Sequence, residues 1–470
     1  MTPKNQEETP KTIDQSECMQ GRLQACRLVD DDKKIRGRVH NSRLVGKKGF
    51  IVLRRRDQTV QVYLAPENMA QDDIRAAVAI GKETIVEATG EMVEAKTPVS
   101  GCTQKETEMH ATGVRVLFPS EQPPFTIEEA SRTEDDEKKL STVALDTRLN
   151  NRVLDLRTPV SHAIMRIKAR IETEFQKYLW EHGFLKINTP KLIGAASEGG
   201  ANVFRVDYFS SQAFLAQSPQ LYKQMAICAD MERVYEIGPV FRAETSHSHR
   251  HLTEYTGLDF EMVIKEDYHE LCDFIHGLLT HIFRRVEEDA KADLQTVGAS
   301  FPAEPLLYTA KPVLLTYSEG LELLRNAGHE MEDFEDLSTE KERALGAIVR
   351  EKYKTDFYGL DKYPTAVRPF YAMPDPHDPR YTNSYDYFVR GEEIISGGQR
   401  IHTYAQLVES AEAKGIDTEK IKGYLDAFRY GAPLHGGIGI GLDRLTMLML
   451  NLKNIRRSAM FPRDPSRIFP

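Results

Sequence analysis

Residues Phe241–Val263 read FRAETSHSHRHLTEYTGLDFEMV, and the runs VYEIGPVF and YTGLDFEMV bracket the polar middle of this segment. Both runs are rich in β-branched and aromatic residues, so the pattern predicts two strands of an antiparallel hairpin joined by a long loop. The loop carries Arg242, Glu244 and Arg250 beside His247, His249 and His251, in a chain whose formal charge is −9. A solvated loop is one reading of such a run. A polyanion site is the other, because arginine binds phosphate bidentately and stacks on flat rings.

The rest of the chain limits the choice. With 470 residues, two or three domains are expected. An apolar fraction of 40% with 28% charged residues fits a soluble protein. No apolar run approaches the ~18 residues of a membrane helix, and the polar N-terminus has no signal-peptide pattern. Cys18, Cys26, Cys102, Cys228 and Cys272 are scattered without CxxC pairing, which excludes a zinc or disulfide framework and predicts a reducing, cytoplasmic setting. No GxxxxGK[ST] and no alternating βαβ pattern is present, so P-loop and Rossmann nucleotide sites are excluded.

The expected class is α+β. Residues 1–22 read as a disordered polar tail, 23–120 as a small β domain, 121–155 as a Pro-rich and then charged hinge, and 156–470 as a mixed domain. In the β domain, FIVL and VQVYL are separated by VGKKG and RRRDQ turns, with further strands at TIVEATGEMVEA and GVRVLF; a barrel and a sandwich both fit. In the mixed domain, Thr158 and Pro159 start a helix that ends before Gly183, with Ile164, Ile167, Ile171 and Phe175 as its buried stripe.

Two further constellations stand out. Ten Lys/Arg and no acidic residue fall between Lys33 and Arg56. That is either a solvated face or a groove for nucleic acid, with Phe50 as a stacking ring. Near the C-terminus, GGIGIGLDRLTMLML places Gly437, Gly439 and Gly441 on one side of a strand and Arg444 at the start of a helix. A flat ligand against bare backbone, or a Gly-rich strand packed on a helix, would both use that pattern.

Together these segments resemble the class II aminoacyl-tRNA synthetases. HGFLKINTPKL (His182–Leu192, with Pro190) is similar to motif 1, FRAE followed by HRHLTEYTGLDFE to motif 2, and GIGIGLDR to motif 3. SEGGANVF, LAQSPQLYKQ, GEEIISGGQRIH and the terminal NIRR and FPRDP resemble the aspartyl branch of the eukaryotic cytoplasmic type. The resemblance runs from about Lys33 to the end. Asp443 departs from it, since eukaryotic relatives more often carry glutamate there.

The resemblance implies an OB-fold barrel that binds the anticodon of tRNA(Asp), ahead of an antiparallel catalytic sheet of six to seven strands flanked by helices. It also implies a homodimer through motif 1 and a reaction that uses ATP and Mg2+. Arg242 and Arg444 are then the catalytic cations, Glu244, His251, Tyr255, Glu393 and Gly441 complete the ATP site, and Glu393 and Ser396 hold the metal. Ser197, Glu198, Gln220, Lys223, Asp259, Ser396 and Arg400 bind aspartate, and Arg43, Phe50 and Gln61 read the anticodon. His247 and His249 are expected as exposed loop residues, and Glu392 as structural or solvated. The three-residue spacing of Glu393 and Ser396 breaks strand alternation, so a bulge or a bridging water is expected between them. Two rivals remain. The asparaginyl branch usually lacks a lysine at position 223 and tends to have glutamate at 259; a noncatalytic RNA-binding paralogue would lose the arginines kept here at 242 and 444.

Overall fold

The computed structural model describes residues 29–31, 33–132, 142–195 and 202–469. They fall into two compact units, with the boundary between Val143 and Ala144 and with Arg157–Pro159 counted in the first. The N-terminal tail, together with Ser197 and Glu198, lies outside the described residues.

The first unit is built from strands β1 (Val29–Asp31), β2 (Lys34–Val45), β3 (Lys48–Arg55), β4 (Gln58–Leu64), β5 (Ile85–Glu94) and β6 (Thr107–Phe118). Their order is β1-β2-β3-β4-β6-β5, and a β2–β5 pairing closes the sheet into a barrel of five strands, β1 standing outside the ring. Of the two β architectures the sequence allowed, the chain adopts the barrel, with an OB-type strand order. Alternation sets its interior: Ile35, Val39, Ile51, Leu53, Val60, Val62, Leu64, Val86 and Met109 are all at most 1% exposed. The VGKKG turn works because Gly46 takes a φ of +62°. A helix, α1 (Gln71–Val78), was not visible as an element in the sequence; Ile74 and Val78 rest where Gly49 leaves room, since a Cβ there would lie 2.9 Å from each.

The second unit carries an eight-stranded sheet. Its strands are β7 (Leu185–Lys186), β11 (Arg233–Phe241), β12 (Glu254–Val263), β13 (Leu314–Thr316), β14 (Phe357–Asp361), β15 (Ser384–Val389), β16 (Glu392–Gln399) and β17 (His435–Gly441). Three short strands, β8 (Leu192–Ile193), β9 (Arg205–Tyr208) and β10 (Ser211–Leu215), form a separate small sheet. The large sheet runs β13-β14-β15-β16-β17-β12-β11-β7, antiparallel except at its two edges, where β13 and β7 add in parallel. The sheet is thus larger than the six to seven antiparallel strands expected, because the two parallel edge strands add to an antiparallel centre.

Helix α2 (Pro159–Glu181) lays Ile164, Ile167, Ile171 and Phe175 into the core, each no more than 2% exposed, against residues of β12, β17 and the helix His269–Asp289. Gly183, at φ +78°, ends it. Helix α3 (Gln220–Cys228) packs on β11 and β12, α4 (His269–Asp289) supplies much of the core, α5 (Thr339–Tyr353) lies against β16, and α6 (Leu442–Met449) follows β17 directly. The segment expected as a hinge is in part regular structure. Short helices Leu145–Asn150 and Arg152–Asp155 hold Asp155 between Arg148 and Arg152, and Arg152 also donates to the carbonyls of Ala459 and Met460.

Candidate active site

The expected hairpin is β11 and β12, in register from Arg233↔Met262 to Phe241↔Glu254, so the polar loop spans 242–253. β17 pairs on the other side of β12 and β16 beyond it, bringing motifs 2 and 3 and the GEEIIS strand onto one surface. A cleft of about 670 Å³ opens there, and its wall includes Gln220, Arg242, Glu244, Arg250, His251, Tyr255, Asp259, Glu393, Ser396, Arg400, Gly441 and Arg444. Residues more than 200 positions apart thus share one site.

The motif 2 loop is braced on both sides. Arg242 Nη1 lies 3.9 Å from Glu244 Oε1, and His251 Nε2 lies 3.8 Å from Glu244 Oε2. Burial, then the neighbouring Arg444 charge, push the His251 imidazole below its ordinary pKa. Arg444 donates to the backbone carbonyls of Glu393 (3.2 Å) and Arg250 (3.3 Å), joining motif 3 to both other walls. Arg250 Nη1 meets Glu342 Oε2 at 2.6 Å; burial pushes that carboxyl up to about 7 in spite of Arg250. His249 is not an exposed loop residue: its Nε2 lies 3.1 Å from Glu392 Oε1 and 2.8 Å from Arg343 Nη2. Glu392, 4% exposed, is therefore a structural carboxylate. His247 is exposed.

Behind the cleft is a buried charge cluster that the sequence only half disclosed. Lys223, 2% exposed, places Nζ 3.0 Å from Asp259 Oδ1, 2.8 Å from the Ile438 carbonyl and 3.4 Å from Glu261 Oε2. Arg400 grips Glu261 through Nε (2.9 Å) and Nη2 (3.3 Å) and donates from Nη2 to the Gly437 carbonyl at 3.0 Å. Burial alone would raise the Glu261 carboxyl, but Arg400 and then Lys223 outweigh it and hold it below the usual range. Two cations thus face two carboxylates. Asp259 and Arg400 line the cleft, whereas Lys223 supports them from behind. Gln220 lines the cleft and donates to Gln224 Oε1 at 2.9 Å. Glu261 was legible: it sits two residues after Asp259 on one strand, hence on the same face.

Of the motif 3 glycines, Gly439 and Gly441 form cleft wall. Gly437 serves the ion pair instead, since a Cβ there would lie 2.3 Å from Glu261 Oε2 and 2.1 Å from the Phe260 carbonyl. Asp443, the position that departs from the expected motif 3 pattern, accepts from Lys168 Nζ at 2.6 Å. A bulge in β16 places Ile395 opposite Tyr387 and Glu393 opposite Phe388, leaving Ile394 as the extra residue. It breaks the alternation, so Glu393 and Ser396 both reach the cleft wall. Next to them Arg368 donates to Ser396 Oγ at 2.9 Å and pairs with Asp386 at 2.8 Å. Burial pushes the Asp386 carboxyl up to about 6, with Arg368 opposing the shift and Glu393 adding to it. No cluster of three or more His, Cys, Asp or Glu able to hold a metal occurs among the described residues. Glu393 and Ser396 nonetheless offer oxygen donors only, the set that suits a hard divalent cation.

On the barrel, Arg43 stands over the Phe50 ring at 5.2 Å, and Gln61 donates to Glu108 Oε2 at 2.7 Å.

The class of protein follows from this site: residues 144–465 match the family model of tRNA synthetases class II (D, K and N), and the chain belongs to that family. Cytoplasmic aspartate–tRNA ligase of Mus musculus is 51% identical over 94% of this chain and 89% of its own length. Among solved structures, the aspartyl tRNA synthetase from Entamoeba histolytica superposes with a TM-score of 0.86 at 38% identity, covering 100% of both chains. Asparaginyl-tRNA synthetase from Pyrococcus horikoshii, complexed with asparaginyl-adenylate, gives 0.81 at 29% identity over 95% of this chain and 98% of that one. Within the class, this chain belongs with the aspartate–tRNA ligases.

Proposed function

We propose that the cleft activates L-aspartate with ATP and that the barrel selects tRNA(Asp). The aspartate α-carboxylate attacks the α-phosphorus, pyrophosphate leaves, and aspartyl-adenylate forms. A hydroxyl of the terminal tRNA adenosine then attacks the acyl carbon, and AMP leaves. The observation that carries this reading is the buried cluster of Lys223, Asp259, Glu261 and Arg400 under a cleft walled by Arg242 and Arg444. An aspartate brings one ammonium and two carboxylates, and desolvating them requires opposite charges already in place.

Asp259 takes the substrate ammonium. Arg400 takes its side-chain carboxylate, with Lys223 balancing Asp259 and Glu261 from behind and Gln220 adding an amide contact. Arg242 neutralises charge developing at the α-phosphate and Arg444 clamps the far end of the nucleotide, so that catalysis is positioning and electrostatics. Glu244 and His251 flank the phosphates and nucleotide, Tyr255 supports the adenine, and Gly441 gives backbone access. Glu393 and Ser396 would hold Mg2+, which supplies charge neutralisation on the phosphates when bound.

In the barrel, Arg43, Phe50 and Gln61 meet the anticodon. The exposed apolar residues Trp180, Leu185 and Leu192, beside and within motif 1 and its Pro190, support a homodimer built on that segment. A cytoplasmic location fits the names of the relatives, and no described helix is long and apolar enough to cross a membrane. Charging of tRNA(Asp) with labelled aspartate tests the reading: acid-precipitable label on that tRNA supports it, and none above background removes it.

A further inference from the structure

Helix α5 (Thr339–Tyr353) supplies no residue to the cleft wall among the described residues, yet two of its side chains reach the motif 2 loop. Glu342, 4% exposed, accepts from Arg250 Nη1 at 2.6 Å. Arg343 donates to Glu392 Oε1 from Nη2 at 2.7 Å and from Nε at 3.1 Å, and its Nη2 lies 2.8 Å from His249 Nε2. The stretch gripped in this way, Ser248–His251, belongs to the limb of the loop that returns to β12. The turn Ile455–Arg457 ties the same limb: the Ile455 amide donates to the His249 carbonyl at 2.8 Å, and Arg456 Nη1 to the Ser248 carbonyl at 3.3 Å.

These ion pairs are not what holds α5 on the sheet. Leu345 and Val349, both fully buried, share a core cluster with Tyr358, Leu360 and Phe388. Gly346 lets the helix backbone approach the β15–β16 turn, since a Cβ there would lie 2.4 Å from Gly391 Cα. A buried ion pair adds little stability over apolar side chains of similar volume, and its best-attested use is to fix one arrangement among several. Here the part that needs fixing is the loop. Residues 242–253 form neither helix nor strand, so ordering them around a ligand would lose conformational entropy. The tied limb ends on a residue of the cleft wall, His251, whose Nδ1 lies 2.5 Å from Ser248 Oγ, and the Arg250 carbonyl in it accepts from Arg444. The ties run to the nucleotide side of the cleft and do not include Lys223, Asp259, Glu261 or Arg400.

We propose, on the reading of the cleft as the ATP site, that Glu342 and Arg343 are positioning residues for the nucleotide. From outside the cleft they hold the returning limb of the motif 2 loop in its binding geometry. They thereby set the affinity for ATP and leave that for aspartate untouched. Glu342 acts through Arg250, whose backbone carbonyl is kept within reach of Arg444, and Arg343 acts through His249 and Glu392.

The test is aspartate-dependent pyrophosphate exchange by the full chain, with KM measured separately for ATP and for aspartate. The variants are Glu342→Gln, Arg343→Met, Arg250→Met, the double variant Arg250→Met/Glu342→Gln, and Leu345→Ala, with thermal melting of each. Glu342→Gln is expected to raise KM for ATP roughly tenfold, as a small displacement of binding groups does, with KM for aspartate unchanged. Arg343→Met should give a smaller rise of the same kind. Its side chain is 53% exposed, so this variant should fold normally and decides the question even where Glu342→Gln unfolds. Leu345→Ala should lower the melting temperature with KM for ATP unmoved, as a purely structural residue does. In the Arg250→Met background, Glu342→Gln should add nothing further to KM for ATP. Wild-type KM for ATP in both Glu342→Gln and Arg343→Met, equal rises in the two KM values, or a full further rise on top of Arg250→Met would overturn the inference and spare the ATP reading. No exchange by the wild type would remove that reading and this inference with it.

Discussion

Lys223 and Asp259 meet at 3.0 Å, Nζ to Oδ1, beneath the cleft, and Lys223 is 2% exposed. The pair is half of a four-member cluster, so removing the lysine takes away one of the two cations that Asp259 and Glu261 share the cluster with. Lys223→Met is expected to destabilise the protein by about 3–5 kcal/mol, the cost of an uncompensated buried charge. It should also lower kcat/KM for aspartate roughly 100-fold or more, and by more than any residual asparagine reaction. Urea unfolding and exchange kinetics with both amino acids check the two effects; equal losses for the two substrates would make Lys223 purely structural.

Arg242 stands in the cleft wall next to Glu244. Arg242→Ala removes a cation from the site of developing phosphoryl charge and should slow adenylate formation by at least ~100-fold. Its melting temperature should hardly move, as the side chain is only half-buried. Near wild-type exchange in this variant would contradict the placing of the α-phosphate.

Phe50→Ala separates the two units functionally. Charging of tRNA should weaken by roughly 1–3 kcal/mol, whereas exchange without tRNA should be unaffected. A parallel fall in both activities with the fold intact would contradict the division of labour.

His435 gives the protein an acid-sensitive point. Its Nε2 lies 3.0 Å from Gln224 Nε2, and its Nδ1 lies 2.8 Å from the Pro433 carbonyl. Nδ1 therefore carries the proton and Nε2 accepts from the amide, so the neutral ring is the one that fits. Burial, with Arg400 adding and Glu261 opposing, lowers its pKa below 6.5. Between that lowered value and 6.5 the unfolded chain binds more protons, so stability falls as the pH drops below 6.5. Melting curves of wild type and His435→Asn should differ in slope with pH in that window, the wild type losing more on acidification. Identical slopes would show that the ring titrates normally.

Gly437→Ala tests the glycine reassigned to the ion pair. A methyl there meets the Phe260 carbonyl and Glu261, and overpacking of this kind costs about 1–3 kcal/mol or more. Unchanged stability would mean that β17 can shift away from β12.

What the sequence disclosed, and what it hid, follows physical lines. The hairpin around the motif 2 loop and the α2 stripe were readable because period-2 and period-3.6 patterns are local. Barrel closure was not, since β2–β5 and β4–β6 pairings join segments that no local pattern links. Helix α1 was missed because it is short, with only Ile74 and Ala77 buried. In the site, Arg242, Arg400 and Arg444 were found through motifs. Glu261 had an overlooked signal in strand alternation, and Asp386 another, as a carboxylate inside the apolar strand SYDYFV. Glu342 had none: it reaches Arg250 from a helix 92 residues away. His249 was misread because loop polarity suggested solvent, while Glu392 and Arg343 arrive from elsewhere in the chain.

The central claim is that this cleft activates aspartate in preference to its neutral amide. Amino-acid-dependent exchange of labelled pyrophosphate into ATP measures it directly in the full chain. Aspartate is expected to support rapid exchange, and asparagine at the same concentration is expected to support almost none, because the amide cannot supply the charge that Arg400 is set to meet. Exchange with asparagine equal to or faster than that with aspartate would contradict the account.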